Sequence, residues 1–370
     1  MAGVYISWPF CAQKCTYCNF ASGVFPRELE AGYLDVLCAE IQSAVWTWRP
    51  DTVYLGGGTP SSMDLSSLER ILKLVPGKPW LEATLEAAPG SLHREHVEAW
   101  RSLGINRVSL GVQSFVDDEL RRTGRKHTAE GVERDVELIR SCGIDEINID
   151  LIAGLPAQTR ASWRQSLTWI ERLAPPHVSI YMFEIDTDSR LGQEMLLGGV
   201  RYGASLSPDE DTTVALYEEA VQRLAALGLP RYEISNFARP DHESRHNLKY
   251  WRLEPYLGFG ADAHSLDGGL RWQNCESVAD YIVRWRHGDV ARVEQTPAVP
   301  HEERFFVGLR LMEGIETSAA ERLQYVEPIA RLVEAGLLED TGLRLKLTPR
   351  GVLLSNEVFQ EFIGLACPAH

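Results

Sequence analysis

No run of eighteen apolar residues occurs, so no membrane-spanning helix is expected. The opening MAGVYISWPFC has neither a basic stretch nor an apolar region with a cleavage site. It does not read as a secretory signal, and a cytoplasmic location with reduced thiols is the expectation. Cysteine is scarce, seven in 370 residues, and Cys38, Cys142, Cys275 and Cys367 stand singly. An odd, scattered set excludes a disulfide framework, and a core of this size needs none. Isolated cysteines of this kind read as small buried hydrophobes. Positive charge is also short: 37 Lys and Arg against 52 Asp and Glu leave a net charge of −15. With no extended basic run, the chain is expected to repel nucleic acid.

What is present is an alternation. Six strand-like runs (GVYISWPF, TVYLGGG, ATLEAAP, RVSLGVQ, EINIDLIAGLP and HVSIYMFEI) are separated by amphipathic helical stretches. Gly104 and Gly143 read as left-handed helix stops. Repeated β-α units with short connections predict an α/β fold with a parallel sheet, open or closed into a barrel. RYEISNFA, RHNLKYW and YLGFGADAHSL follow as strand and loop signals rich in aromatics. Two prolines in QTPAVPHEE mark a linker. Beyond it, helix, helix, hairpin and helix predict a small C-terminal winged-helix-like domain. That shape does not imply DNA binding here, because residues 301–370 carry seven Lys and Arg against eleven Asp and Glu. The expected organisation is a core over 1–230, an extension over 231–294 and a terminal domain over 295–370.

Cys11, Cys15 and Cys18 fall within CAQKCTYC, at the end of the first strand. Chance thiols, zinc and iron–sulfur are the competing readings. A closed zinc site wants four ligands, usually as two pairs, and no second CxxC exists. Three thiolates suit a cubane cluster whose fourth iron stays open for another ligand. Polar or glycine positions recur where the later strands end: GGGTP at 56–60, Glu86, Gln113 and Asp150. The C-terminal ends of parallel strands are where such folds build sites. Buried there, these groups need partners, and an amino group or ribose hydroxyls would serve. An ordinary βα turn and second hydrogen-bonding partners are the blander readings.

CxxxCxxC after an N-terminal strand is similar to the signature of the radical S-adenosylmethionine (SAM) enzymes. YISWPFCAQKCTYC, GGGTPS, GVQSF with RTGRKH, and NIDLIAGLPAQT together resemble the HemN/HemW group. That group comprises oxygen-independent coproporphyrinogen III oxidases and heme chaperones. The resemblance covers nearly the whole chain and implies a partial (β/α)6 TIM-like radical SAM barrel with a small C-terminal domain. It implies a [4Fe-4S] cluster on Cys11, Cys15 and Cys18. It implies SAM against Tyr5, Tyr17, Gly57, Gly58, Thr59, Glu86, Gln113, Arg125 and Asp150. Ser7-Trp8 departs from the His-Ile more usual before Pro-Phe-Cys.

Two features bear on the branch. The oxidases carry a further cysteine where this chain has Phe20, which supplies no thiol. RHNLKYW matches the chaperones' HNxxYW motif and implies heme binding by His246, with Tyr250 and Trp251 covering the porphyrin. His264, in GFGADAHS, is a second candidate ligand or a loop anchor. Read from residues alone, His246 equally suits a loop held by hydrogen bonds, with Tyr250 and Trp251 in the core. The expected function is a heme chaperone that delivers heme to an acceptor protein. A flavodoxin- or ferredoxin-like electron donor would serve the cluster. The alternative is a coproporphyrinogen III oxidase, a C-methyltransferase or another radical SAM enzyme.

Overall fold

The computed structural model describes residues 1–363 other than 20, 91, 188 and 290, so Phe20 and Cys367 lie outside the described residues. The six sequence-predicted strands form as β1 (Gly3–Trp8), β2 (Thr52–Gly57), β3 (Glu82–Ala87), β4 (Arg107–Gln113), β5 (Glu146–Ala153) and β6 (His177–Met182). They run parallel in that spatial order. Antiparallel β7 (Asn236–Ala238) follows β6 at one edge. On the other side β8 (Tyr256–Phe259) pairs parallel with β1. β9 (His264–Asp267), β10 (Leu270–Asn274) and β11 (Arg292–Pro297) extend it antiparallel. Among the described residues the sheet therefore has eleven strands and open edges at β7 and β11, a partial barrel.

The crossovers are helical. They are α1 (Arg27–Ser43), α2 (Leu65–Leu72), α3 (Arg94–Leu103), α4 (Asp117–Arg122), α5 (Ala129–Ser141) and α6 (Arg160–Leu173). α7 (Arg190–Leu196) and α8 (Glu210–Ala226) separate β6 from β7. Thr128 caps α5, and a capping box at Thr159 and Ser162 starts α6. Gly104 closes α3 in the left-handed region at φ 99°, which a residue with a Cβ adopts only under strain.

The central strands alternate along most of their length. Val4 and Ile6, Val53 and Leu55, Ala83 and Leu85, Val108 and Leu110, Ile147 and Ile149, and Val178 and Ile180 are fully buried core residues. The intervening positions hold Tyr5, Tyr54, Glu86, Ser109, Asn148, Asp150, Ser179 and Tyr181. One period-2 set is thus apolar and packs in the core, while the other makes a polar concave face.

RHNLKYW is the main departure from expectation. It forms a helix, α9 (Arg245–Trp251), where strand and loop signals were read. The Ser244 hydroxyl accepts from the Asn247 amide as N-cap, and Glu82 accepts the Arg245 and His246 amides from outside the segment. α10 (Val278–Arg286) packs on α1. Of the two linker-like prolines, Pro300 starts α11 (Pro300–Phe306), while Pro297 still belongs to β11. The terminal part adds β12 (Ile315–Glu316), α12 (Ala319–Gln324), α13 (Val326–Glu334), β13 (Leu338–Asp340), β14 (Arg344–Leu347), α14 (Pro349–Leu353) and α15 (Ser355–Gln360). Phe305, Tyr325 and Phe362 centre its core. It docks on the extension: the Met312 amide donates to the Tyr232 carbonyl, and the Arg310 guanidinium lies 4.3 Å from the centroid of the Trp251 ring.

Candidate functional site

The cysteine loop leaves β1 and is closed at its base. The Cys11 amide donates to the Gly23 carbonyl at 2.8 Å, and the Gly23 amide to the Pro9 carbonyl at 2.9 Å. Its flanks are tied down: the Leu191 amide donates to the Thr16 carbonyl, and the Gln13 side chain to the Gly124 carbonyl. Cys18 Sγ lies 3.7 Å from Ser22 Oγ. Burial pushes the Cys11 thiol up. The Thr59 and Ser22 hydroxyls oppose that shift, while Cys18 and Cys15 add to it. The three thiols therefore share one electrostatic neighbourhood, and all are partly exposed. Among the described residues no three His, Cys, Asp or Glu, these thiols included, stand together in metal-binding geometry. Cys38 and Cys275 are buried elsewhere, and Cys142 is half-buried.

GGGTP locks β2 against this loop. A Cβ on Gly58 would meet the Trp8 carbonyl oxygen at 2.6 Å, and the Thr59 amide donates to the Phe10 carbonyl at 2.9 Å. Gly57 is left-handed at φ 97°.

Beside the loop lies the polar end of the concave face. The Tyr54 hydroxyl donates to Glu86 Oε1 at 2.9 Å. Burial pushes the Glu86 carboxyl up to about 7; Tyr54 and the Gly57 amide oppose this, and the nearby Asp150 charge reinforces it. Burial likewise raises Asp150, against hydrogen bonds from Ser179, Asn148 and Ser109 and the charge of Arg125. Asn148 donates to Asp150 Oδ1 at 2.7 Å. Arg125 donates to the Tyr17 hydroxyl at 3.3 Å, yet its buried Nε has no partner. Gln113 sits at φ 70°, where the β4–β5 register shifts, a conformation costly for a residue with a side chain. Tyr5 stacks on Tyr54 with centroids 6.1 Å apart.

These residues fit SAM. Burial makes the charge of Glu86 and Asp150 costly, which a cation beside them would offset, and the orphaned guanidinium nitrogen wants an acceptor. An amino acid ammonium and carboxylate carry both. The structure brings Tyr5, Tyr17, Gly57, Glu86, Arg125 and Asp150 to one end of the parallel strands. The same polar face also carries Tyr54, Ser109, Asn148, Ser179 and Tyr181, which sequence reading did not single out. Their period-2 spacing, in phase with Tyr5, Glu86 and Asp150, was the available signal.

The heme-motif residues are not assembled. His246 is 1% exposed. Its Nδ1 meets the Thr52 hydroxyl at 2.9 Å and its Nε2 the Tyr250 hydroxyl at 2.8 Å. Its ring stacks on Tyr54 with centroids 5.3 Å apart. Burial, and then the Lys249 charge, lower its pKa to about 3. In this conformation neither nitrogen is free for iron. Tyr250 packs edge-on against Tyr256, and Trp251 lies under Arg310. His264, by contrast, is exposed at the start of β9. Thr52 begins β2 and Gly57 ends it, so His246 and the GGGTP turn lie at opposite ends of that strand, roughly 17 Å apart at 3.3 Å per residue.

Comparisons with known proteins agree with this architecture. Residues 5–170 match the model of the radical SAM superfamily, and residues 295–354 that of the HemN C-terminal domain. The heme chaperone HemW of Bacillus subtilis is 33% identical over 98% of this chain and 100% of its own length. That of Escherichia coli is 33% identical over 98% of both chains. A bovine mitochondrial protein, radical S-adenosyl methionine domain-containing protein 1, is 31% identical over 96% of this chain and 84% of its own. The structure of coproporphyrinogen III oxidase (HemN) from Escherichia coli superposes with a TM-score of 0.85, covering 98% of this chain and 90% of that one. Its 22% identity makes this a likeness of fold. Similarity at this level along the whole chain, with both domain matches in place, makes the protein a member of the HemW family within the radical SAM superfamily.

Proposed function

We propose that the protein is a heme-binding chaperone on a radical SAM scaffold, which takes up heme and delivers it to an acceptor protein. The observation that carries the scaffold reading is the cysteine loop beside Glu86, Asp150 and Arg125, three polar groups whose burial calls for a zwitterionic, cationic ligand. Cys11, Cys15 and Cys18 would hold a [4Fe-4S] cluster, which supplies one-electron reduction of bound SAM when a flavodoxin- or ferredoxin-like donor reduces it. Glu86 and Asp150 would receive the amino group and ribose hydroxyls, and Arg125 with Tyr17 the carboxylate. Tyr5, Gln113 and Gly57 to Thr59 would complete the cradle. The backbone near Gly57, with no Cβ in the way, would let the ligand come close.

The heme reading draws on the full-length relatives, which are named heme chaperones, and on RHNLKYW. His246 would ligate iron after α9 lifts, Tyr250 and Trp251 would exclude water from the porphyrin, and exposed His264 would be a second ligand. The lack of a thiol at Phe20 supports this reading over a coproporphyrinogen oxidase. A cytoplasmic setting and no nucleic-acid partner suit the acidic chain. Among the described residues, no helix is long and apolar enough to cross a membrane.

The test is anaerobic reconstitution followed by three assays on one sample: heme titration, deoxyadenosine release and coproporphyrinogen decarboxylation. Saturable heme binding without decarboxylation is expected. Decarboxylation at an enzymatic rate would overturn the chaperone reading.

A further inference from the structure

We infer that Tyr54 is a positioning residue that couples the SAM pocket to α9, so that a ligand at Glu86 tightens the enclosure of His246 and its loss loosens it. This rests on the SAM and heme reading above and goes beyond it by naming the connection.

Three contacts make the link continuous. The Tyr54 hydroxyl donates to Glu86 Oε1 at 2.9 Å. The Tyr54 ring stacks on the His246 imidazole at 5.3 Å and 29°. The Thr52 hydroxyl, two residues back on the same strand face, holds His246 Nδ1 at 2.9 Å. β2 thus grips the imidazole twice, and its own far end carries the Gly57 turn of the SAM pocket. Tyr5 backs the Tyr54 ring on the adjoining strand, so the ring stands within an aromatic row.

α9 depends on these contacts. Seven residues are too few for a helix to persist unaided. Its hold comes from Glu82 at the first turn, from the His246 hydrogen bonds, from buried Lys249 paired with Asp51 and Glu254, and from Trp251 against Arg310. Weakening the imidazole's hold therefore weakens the helix. Glu86 sets how firmly Tyr54 stands. Unliganded, its carboxyl is pushed up to about 7, so at neutral pH much of it is protonated. A ligand ammonium beside it restores the carboxylate, and the phenol's bond becomes charge-assisted and stronger. The ring is then pinned against the imidazole. The two states differ in ligand contacts at one end and in helix release at the other, which is the requirement for coupling. By reciprocity, heme taken by a released His246 lowers SAM affinity by the same factor.

The experiment is hydrogen exchange on the full-length, cluster-reconstituted protein with and without SAM, following the amides of residues 245–251. Calorimetry on the same samples reports SAM binding. In the unmodified protein SAM should slow exchange of these amides by about fivefold or more. Tyr54→Phe keeps the ring stack and removes only the hydroxyl. Compared at SAM concentrations that calorimetry shows to saturate each protein, α9 exchange in this variant should no longer respond to SAM. Bound SAM with unchanged α9 exchange in the unmodified protein overturns the coupling, as does an undiminished response in Tyr54→Phe. If calorimetry detects no SAM binding to the unmodified protein, the SAM reading itself fails and the coupling falls with it.

Discussion

Gly58 rests directly on the backbone of Trp8, so close that a Cβ would stand 2.6 Å from the Trp8 carbonyl oxygen and 2.8 Å from that of Phe10. Both neighbours are main chain and cannot turn aside. Gly58→Ala is expected to push the cysteine loop off β1 and to destabilise the protein by about 1–3 kcal/mol. Lower iron content on reconstitution and a lower unfolding midpoint would be measured. A fully loaded cluster in this variant would contradict the role given to the turn.

The cysteines should separate cleanly. Replacing Cys11, Cys15 or Cys18 by Ala should abolish the cluster's visible absorption. Cys38, Cys142 and Cys275 should keep it. Buried Cys38 and Cys275 would lose some packing and hence a little stability, which a denaturant titration separates from iron loss. If Cys38→Ala loses iron as Cys15→Ala does, three-thiolate ligation is wrong.

Affinity for SAM should depend on pH through Glu86. Its carboxyl is raised to about 7 in the folded, unliganded protein, and only the carboxylate attracts an ammonium. Affinity should therefore weaken as pH falls below about 7, and Glu86→Gln should flatten that dependence. The stability effect has the opposite sense. A raised folded-state pKa means that the folded chain binds the proton more tightly than the unfolded one. The contribution is then complete below the unfolded value near 4.5 and is lost as pH rises through about 7. Calorimetric titrations from pH 6 to pH 8 check the first claim, and an unchanged slope in Glu86→Gln would refute it. Asp150→Ala should weaken SAM binding without lowering cluster content.

Heme binding should report on the enclosure of His246. Thr52→Val removes one of its two side-chain hydrogen bonds and should speed heme uptake in stopped-flow absorbance. His246→Ala should shift or abolish the heme band, and His264→Ala should alter it in part. The first substitution empties a site between Tyr54 and Tyr250, so a cost of roughly 2–5 kcal/mol is expected and folding must be verified by circular dichroism. An unaltered heme spectrum in the folded double variant would place the iron ligand elsewhere.

Much of the scaffold was legible because its signals are local. CAQKCTYC states its chemistry by spacing, and alternation of strand and helix patterns places GGGTP, Glu86, Gln113 and Asp150 at strand ends. The polar concave face was half legible. Tyr5, Glu86 and Asp150 stand out beside their motifs, but Tyr54 and Tyr181 look like ordinary strand aromatics until the parallel register turns one strand face inward. RHNLKYW misled in the other direction. Its aromatics suggested strand and loop, whereas a cap at Ser244 and a carboxylate from a distant strand make it helical.

The sequence by itself determined the triad of thiols, the alternation of strands and helices that makes a parallel core, and the presence of an imidazole among aromatics. Each depends on residue types at short separations. Only the tertiary structure decided where that imidazole goes. His246 is held by Thr52, 194 positions away, and its amide by Glu82, 164 positions away. Burial of a polar ring is set by which distant groups satisfy its hydrogen bonds, and that pairing exists only once the strands have assembled.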